Sequence, residues 1–418
     1  MKVLLSTIGS RGDVQPLLAL ALELRALGHD ANLCVPPNFK DWVESFGLHC
    51  FPIGPDVKRF VAAGAPSNPA RPIEFSEEQA RQLAASTVCE QFRVLTEAAR
   101  GCDLIVAATA LQIAARSIAE TLAIPYVFVA YCPAVLPAPD YPPVPKRGFR
   151  YPQWLPSIVN RVLWKRDDRR VNVLFLATLN EERAKLGLAP VDTVQRHVFG
   201  DRPWLAADPA LGPASLRSRM QIVQTGAWFL PDQSPVPDNL ERFLANGEPP
   251  AYLGFGSMRA AEQTGRLLID AARAAGLRSV ISQGWGNLSL VDAGADCIST
   301  GDVNHEQLLA RVAAVVHHGG SGTTAAAAKA GKPQVIVPHN YDQFYFAHRV
   351  QKLGVGVSCR ARERLTADAL ASALRECLRP VMKARAQALA SRIVLDGAKI
   401  AARQLADEFG RHRTAGTR

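Results

Sequence analysis

One short stretch constrains the fold of this chain more than any other, because an apolar run, a glycine-rich turn and a strong helix former follow one another directly. The run Ala313–Val316 is typical of the end of a buried strand. Ala325–Ala330 is typical of a helix, and Gly331 ends it. The turn between them, His317–Thr324, contains three glycines, which let a backbone approach an anion while the first helical N–H groups point at it. The stretch predicts an α/β protein, in which this turn either packs a helix on a sheet or holds a phosphate.

The neighbourhood of the turn favours the phosphate interpretation. The turn is neither a Walker loop, since no Gly-Lys-Ser/Thr follows, nor a dinucleotide fingerprint at proper spacing. A second polar cluster, Pro338–Gln343, lies one strand–helix unit further on. A ligand attached to a phosphate on the turn would reach this cluster. His318, Thr323 and Thr324 would supply further hydrogen-bond donors to the phosphate.

Length and pattern predict two similar domains. The chain has 418 residues, which is too long for one hydrophobic core. Strand-like runs alternate with helix-like stretches in both halves, which predicts two doubly wound parallel sheets. The predicted strands are Val3–Leu5, Asn32–Val35, Leu104–Ala107, Tyr126–Val129, Ala251–Phe255, Ser279–Ile281, Ala295–Ile298, Ala313–Val316 and Gln334–Val337. Two such sheets place their carboxyl-end turns around one cleft, where open α/β sheets bind ligands.

Charge and cysteine usage narrow the class of protein. The formal net charge is +10, and the last 40 residues are rich in arginine and lysine. A solvated basic helix explains this best; attraction of an anionic donor or a membrane surface comes second, and peripheral membrane contact stays open. No aromatic-interleaved basic motif indicates nucleic acid. Eight cysteines without metal or disulfide spacing, no signal peptide and no membrane-spanning run predict a cytoplasmic enzyme.

Two residues on the predicted cleft turns carry competing interpretations. Asp13 precedes a helix that Pro16 suits as a first turn, so it is either a helix cap or a general base whose pKa a closing cleft would raise. Trp285 stands between two glycines, where it either packs or stacks on a nucleotide base. No Asp-x-Asp occurs, so the sequence predicts no divalent-metal clamp.

Apolar residues recur at helical spacing from Trp154 to Trp164. Such a stripe is most often the core face of a helix. A wall for a large apolar ligand and an interfacial patch are the alternatives, since Lys165, Arg166 and Arg169 follow.

The combined motifs resemble those of GT-B-fold nucleotide-sugar glycosyltransferases, the bacterial antibiotic branch above all, with sterol glucosyltransferases as wider relatives. The resemblance covers nearly the whole chain. The motifs that carry it are Ser6–Pro16, Pro133–Pro137 with Asp140–Pro143, Gln224–Trp228, Tyr252–Ser257, Gly301–His305, and the opening turn with Asp342 and Gln343. Under this resemblance we expect an acceptor domain over residues 1–212, a linker over 213–232, a nucleotide-sugar domain over 233–390, and a helix over 391–418 that crosses back to the first domain before a basic tail.

The resemblance also implies a role for each motif residue. Asp13 would be the general base that deprotonates the acceptor hydroxyl. Residues on facing turns would bind the donor diphosphate: Ser10, Arg11, Ser257, His318, Gly320, Gly322 and Thr323. Trp285 and Val303 would flank the base, and Asp342 and Gln343 would hold the sugar hydroxyls. No metal or other cofactor is expected, because the helix N-terminus and His318 can stabilise the departing diphosphate.

The implied activity is inverting transfer of a sugar from a UDP- or dTDP-linked donor to a hydroxyl of a lipophilic natural-product aglycone. The alternative is a sterol, terpenoid or other lipid glycosyltransferase. A non-catalytic nucleotide-sugar-binding helper is the alternative of another class, since folds do not fix activity. A sugar-nucleotide epimerase would lack the acceptor pocket that the long loop from Pro133 to Pro152 suggests.

Overall fold

The computed structural model describes residues 1–57, 76–109, 111–144, 151–256, 262–284, 288, 294–359 and 365–410. Within these ranges two parallel α/β sheets follow one another along the chain. This confirms the predicted fold class. No helix of the described residues is both long enough and apolar enough to cross a membrane.

The first sheet has seven strands in the order β3-β2-β1-β4-β5-β6-β7, and every adjacent pair is parallel. Its strands are β1 Lys2–Thr7, β2 Asp30–Val35, β3 His49–Pro52, β4 Leu104–Ala108, β5 Tyr126–Ala130, β6 Trp204–Leu205 and β7 Val223–Gln224. The helices of this domain are α1 Arg11–Ala26, α2 Lys40–Glu44, α3 Glu77–Ala98, α4 Ala115–Thr121, α5 Ser157–Lys185 and α6 Val194–Phe199. Apolar clusters fill both faces of the sheet, as expected when parallel strands are covered by helices on each side.

The second sheet has six parallel strands in the order β10-β9-β8-β11-β12-β13. Its strands are β8 Ala251–Gly254, β9 Ser279–Ser282, β10 Cys297–Thr300, β11 Ala314–His317, β12 Gln334–Ile336 and β13 Gly356–Ser358. The helices are α7 Asp238–Ala245, α8 Glu262–Ala274, α9 His305–Ala310, α10 Ser321–Lys329, α11 Gln343–Leu353, α12 Ala367–Cys377 and α13 Pro380–Ala390. The edge strand β13 has only three residues, which is too short for a periodicity argument, and the sequence analysis did not predict it.

The last helix, α14 Gly397–Phe409, crosses back to the first domain, as the resemblance implies. Its residues Ala398, Ala401 and Leu405 belong to the same buried cluster as the first strand and α1. Asp208 accepts a hydrogen bond from the Val394 N–H at 2.8 Å, just before this helix. The small side chains let α14 approach α1 closely.

Two predicted boundaries differ from the structure. The segment 213–232, expected to be a linker, contains β7, the edge strand of the first sheet; a two-residue strand is too short to recognise from sequence. The first helix was expected from Pro16, but α1 begins at Arg11 and Pro16 lies inside it. Asp13 explains the earlier start, because its carboxylate accepts the Ser10 N–H and occupies the N3 position of a capping box.

The apolar stripe near α5 is not a core face. Of its apolar residues only Trp164 is buried, whereas Trp154 is 78% exposed and Ile158 is 71% exposed. The expectation of a core face is therefore wrong. The buried side of this part of α5 is narrow and contains a polar residue, Asn160, which donates hydrogen bonds to the Pro139 and Leu155 carbonyls.

Candidate active site

Asp13 lies at the cleft edge of the first sheet, in the first turn of α1. Its Oδ2 accepts the Ser10 N–H at 2.7 Å and the Ser10 hydroxyl at 3.2 Å. The backbone carbonyl of Asp13 accepts the Tyr131 hydroxyl at 3.1 Å, which fixes the turn on β5. Gly9 makes room for the carboxylate, because a Cβ at that position would lie 2.2 Å from Oδ2. The turn thus holds the Asp13 carboxylate in one orientation.

The environment of Asp13 suits a base. Burial raises its pKa from 3.8 to about 6, and the two Ser10 hydrogen bonds oppose this rise only in part. A carboxyl with this pKa is mostly ionised at neutral pH yet basic enough to accept a proton. The N–H and the hydroxyl of Ser10 both donate to Asp13, and diphosphate binding by Ser10 stays a prediction.

The phosphate turn follows β11 in the second sheet. His317 is fully buried, and its Nδ1 accepts the Gly319 N–H at 3.1 Å while its Nε2 lies 2.9 Å from the Gln334 side-chain oxygen. Gly319 adopts φ +93°, a conformation that favours glycine, and Ser321 then starts α10. No role for His317 was predicted from the sequence, although this residue fixes the bend that aims the helix N-terminus at the cleft.

His318 lies between two glycine turns at the same edge. A Cβ on Gly256 would be 3.2 Å from its ring, and a Cβ on Gly320 would be 2.6 Å from its Nε2. Burial lowers the pKa of His318 to about 4, so the imidazole is neutral at pH 7 and can donate one hydrogen bond. Among the described residues its Nδ1 has no hydrogen-bond partner.

The helix N-terminus presents Gly320, Gly322 and Thr323 around this point. Gly322 is exposed, and Gly320 and Thr323 are half-buried at the first turn of α10. Thr324 is buried, and its hydroxyl donates to the Gly320 carbonyl at 2.8 Å. The prediction that Thr324 donates to a phosphate is therefore wrong, since the hydroxyl points back into its own helix.

Asp342 occupies the N-cap position of α11, but its side chain makes no capping hydrogen bond. Burial first, and then the negative charge of Asp13, raise its pKa to about 7, while the Ser321 N–H, which donates to the carboxyl, opposes the rise. The carboxyl therefore faces both the base and the N-terminus of α10. Tyr341, the residue before it, has a strained φ of +55° and an exposed ring. Neither feature can be predicted from the sequence.

The Gln343 side chain holds the loop that precedes α11. Its side chain is only 4% exposed, and its oxygen accepts the His339 N–H at 2.7 Å and the Asn340 N–H at 3.0 Å. This oxygen shapes the turn that carries Asp342, and the role of Gln343 in holding the sugar hydroxyls stays a prediction.

Helix α11 also joins the two domains. The Tyr345 ring packs edge-on against Tyr141 of the first domain, with centroids 5.6 Å apart. Arg349 donates to the Leu211 carbonyl at 2.7 Å and to the Ala210 carbonyl at 3.1 Å. One rigid helix thus presents Asp342 at its start and anchors on the first domain along its length.

Arg11, predicted to bind the diphosphate, bridges the cleft elsewhere. Its guanidinium lies 2.9 Å from the Asp302 carboxylate and stacks over the Trp42 ring at 5.0 Å. Asp302 follows β10, so Arg11 lies beside the region predicted to hold the nucleotide base. Val303, the next residue, is partly buried against an apolar cluster of the second domain.

Two predicted residues, Ser257 and Trp285, lie outside the described residues. The glycines next to them are described: a Cβ on Gly284 would be 2.2 Å from the Gly256 carbonyl oxygen, so these two turns meet backbone to backbone. In the described part of the chain no group of three or more His, Cys, Asp or Glu side chains is arranged to hold a metal ion.

Comparison with known proteins shows to which family the chain belongs. Residues 3–136 match the model of the glycosyltransferase family 28 N-terminal domain, and residues 287–399 match that of the erythromycin biosynthesis protein CIII-like C-terminal domain. The chain is 42% identical to the vancomycin aglycone glucosyltransferase of Amycolatopsis orientalis over 99% of both proteins. The chain belongs to the same family of glycosyltransferases as this relative. The resemblance inferred from the motifs is confirmed.

Other relatives differ in how similar their sequences are to that of the transferase. It is 40% identical to the dTDP-epi-vancosaminyltransferase of the same organism over 92% of each chain. It is 30% identical to a sterol 3-beta-glucosyltransferase of Komagataella phaffii over 90% of its own length but only 32% of the relative's. Among solved structures, a calicheamicin glycosyltransferase superposes with a TM-score of 0.71 at 20% identity, covering 99% of both chains. The dTDP complex of the glycosyltransferase VinC superposes with a TM-score of 0.64 at 22% identity, covering 94% of the transferase and 95% of that chain.

Proposed function

We propose that this glycosyltransferase moves a sugar from a UDP- or dTDP-linked donor to a hydroxyl of a lipophilic natural-product aglycone, such as an antibiotic, with inversion at the anomeric carbon. The observation that carries the proposal is the Asp13 carboxylate, with its raised pKa, held across the cleft from the N-terminus of α10. The names of the two bacterial relatives support an aglycone acceptor and a dTDP- or glucose-type donor.

Each step is assigned to residues of this chain. Asp13 takes the proton of the acceptor hydroxyl while the acceptor oxygen attacks the anomeric carbon. The bond from that carbon to the diphosphate oxygen breaks in the same step, which inverts the configuration. The free N–H groups of α10 and a neutral His318 donate to the departing diphosphate, and the helix dipole favours its charge. We propose that this stabilisation needs no metal ion.

The sugar is assigned to Asp342. Its carboxyl faces Asp13 and the first turn of α10, so a sugar whose diphosphate lies on that turn would meet it. A carboxylate can accept two hydroxyl groups at once. We also propose that Val303 and Trp285 flank the nucleotide base of the donor. The cytoplasm is the proposed location, which fits eight cysteines that are all free thiols.

A panel of donors and acceptors tests this function. The purified protein is incubated with UDP-glucose, dTDP-glucose and a dTDP-deoxysugar, each with and without a glycopeptide aglycone, and products are followed by mass spectrometry. We expect slow donor hydrolysis alone and a glycosylated aglycone when both substrates are present. Transfer to a sterol but not to the aglycone would favour the lipid alternative. Donor binding with neither hydrolysis nor transfer would favour the non-catalytic helper.

A further inference from the structure

A group of large apolar side chains stands in solvent at the start of α5. Beyond Trp154 and Ile158, Val162 is 47% exposed. Leu216, in the segment before β7, is 100% exposed. Isolated exposed apolar residues are normal, whereas several together mark a contact surface.

The geometry of α5 shows which way this group faces. Trp164 donates its indole N–H to the Tyr141 carbonyl at 3.0 Å, and Asn160 donates to the Pro139 carbonyl at 3.1 Å. These two buried residues fix one side of the helix on the loop that contacts the second domain. At about 100° per residue, Ile158 and Val162 lie roughly 160° away from Asn160 on either side. They therefore point away from Pro139 and Tyr141, on the opposite side of the helix.

The same outward side is basic. Arg161, Lys165, Arg166 and Arg169 are all exposed. Asp167 is turned aside, where it pairs with Arg170 at 2.5 Å and accepts from Gln195 at 2.8 Å. The described residues of this side between 158 and 169 include no exposed acid.

The Leu216 segment adjoins this side of α5. Arg217 donates to the Ser157 hydroxyl at 3.0 Å, at the first residue of α5, and pairs with Asp140 at 3.1 Å. The contact brings the fully exposed Leu216 and the exposed Arg219 next to the start of the helix. Two separate segments thus present aliphatic tips and cations together.

We propose that this outward surface, termed the basic apolar face and formed by Trp154, Ile158, Arg161, Val162, Lys165 and Arg169, docks on an anionic lipid bilayer. A tryptophan and short aliphatic side chains enter the boundary between headgroups and acyl chains, while lysine and arginine meet anionic headgroups. Charge complementarity selects the bilayer as the occupant, since the chain as a whole carries +10. The surface lies opposite the side of α5 that is fixed by Asn160 and Trp164, and the inference does not depend on the proposed transfer reaction.

Co-sedimentation of the full chain with sucrose-loaded vesicles tests the proposal. We expect binding to vesicles with about 30% phosphatidylglycerol and much weaker binding to pure phosphatidylcholine, with salt dissociating the complex. The pair Lys165→Gln/Arg169→Gln should bind roughly 30-fold more weakly, because each cation near an anionic surface contributes about 1 kcal/mol. The pair Trp154→Ala/Ile158→Ala should bind at least about tenfold more weakly, because it removes the inserted apolar area.

Matched controls separate a specific surface from general attraction. Arg100→Gln/Lys352→Gln removes the same charge from exposed positions elsewhere and should bind nearly as well as wild type. Val381→Ala/Leu395→Ala removes exposed apolar groups elsewhere and should also bind normally. Equal losses in the face variants and their controls, or no binding of the wild type to anionic vesicles, would overturn the proposal. So would intact vesicle binding by Trp154→Ala/Ile158→Ala together with a raised KM for the acceptor, which would make the face an acceptor contact.

Discussion

Replacing Asp13 by Asn separates its two roles, because Asn can still accept the Ser10 N–H but cannot take a proton. We expect kcat to fall by at least ~10²-fold, which is typical of a lost general base. Affinity for the nucleoside diphosphate should stay close to wild type, since that site lies on the other domain. Wild-type kcat/KM should fall below an apparent pKa of about 6, the value to which burial raises the Asp13 carboxyl. Because Asp342 also titrates, with a pKa of about 7, the acid limb of wild type reflects two carboxyls and that of Asp13→Asn only one, so its slope on a logarithmic scale should fall from about 2 to about 1.

The same substitution has a predicted effect on stability. A shift from 3.8 to about 6 corresponds to at most about 3 kcal/mol, and to less because the side chain is half-buried. Since the folded-state pKa is raised, folding favours the protonated carboxyl. This stabilisation is fully present below pH ~4 and is lost as the pH rises through about 6.

The direction of this pH dependence predicts how the melting temperatures of the two proteins differ. The Tm of Asp13→Asn minus that of wild type should grow as the pH rises from about 4 to about 7, and then stay constant. In Asp13→Asn the pKa of Asp342 should fall, because the negative charge of Asp13 helps to raise it, and this changes the difference in the same direction. The assays are steady-state kinetics and thermal unfolding over the same pH series. Near wild-type turnover in Asp13→Asn, or an acid limb as steep as that of wild type, would refute the base assignment and leave Asp13 as a capping residue.

Three further substitutions test the neighbouring parts of the site. Gly9→Ala puts a Cβ 2.2 Å from the Asp13 carboxylate and should lower kcat by about 10²-fold, whereas Gly12→Ala, whose Cβ meets only a hydroxyl at 3.7 Å, should be tolerated in the same assay. His318→Ala should weaken nucleoside-diphosphate binding by roughly 1.5–3 kcal/mol in calorimetry, and unchanged affinity would remove His318 from the diphosphate site. Asp342→Asn should keep its Tm and its diphosphate affinity but lose turnover and change its preference among donors with different hydroxyl patterns. Wild-type donor preference would make Asp342 a structural N-cap.

The order of strands and helices followed from the sequence because both halves repeat one pattern of buried run, turn and amphipathic helix. The helix from Gln343 to Leu353 lies between Asp342 at its N-cap and Gly354 at its C-cap, residue types that are typical of these positions. Four strands of the described part of the chain were missed. The strands β6, β7 and β13 have two or three residues, which carry no period, and β3 is a four-residue strand at the edge of the first sheet.

The parts of the site that a local backbone pattern defines could be predicted from the sequence. The contacts that side chains make across the cleft could not. The glycine turn before α10 is visible in the sequence because its glycines and helix former are local. The partner of Arg11 is not, because Asp302 lies almost 300 residues away and meets it only when the domains face each other. The loop contacts of the Gln343 oxygen could not be predicted either, because an amide next to a functional carboxylate can hold the loop, the sugar or both.

The stripe near α5 shows a limit of periodicity arguments. Apolar residues at helical spacing indicate that a helix has an apolar side, but not what covers that side. In this chain the buried side is set by Asn160 and Trp164, through their hydrogen bonds to backbone carbonyls. Ile158 and Val162 consequently face outward.

The anomeric configuration of the product tests the central claim most directly, because a single displacement helped by one base has only one stereochemical outcome. An α-linked nucleotide sugar and the aglycone are incubated with the wild-type protein, with and without a chelator, and the product linkage is read from the anomeric proton coupling by NMR. We predict a β-linked product, formed at the same rate in both samples. An α-linked product, or a complete loss of transfer that added divalent metal restores, would contradict it.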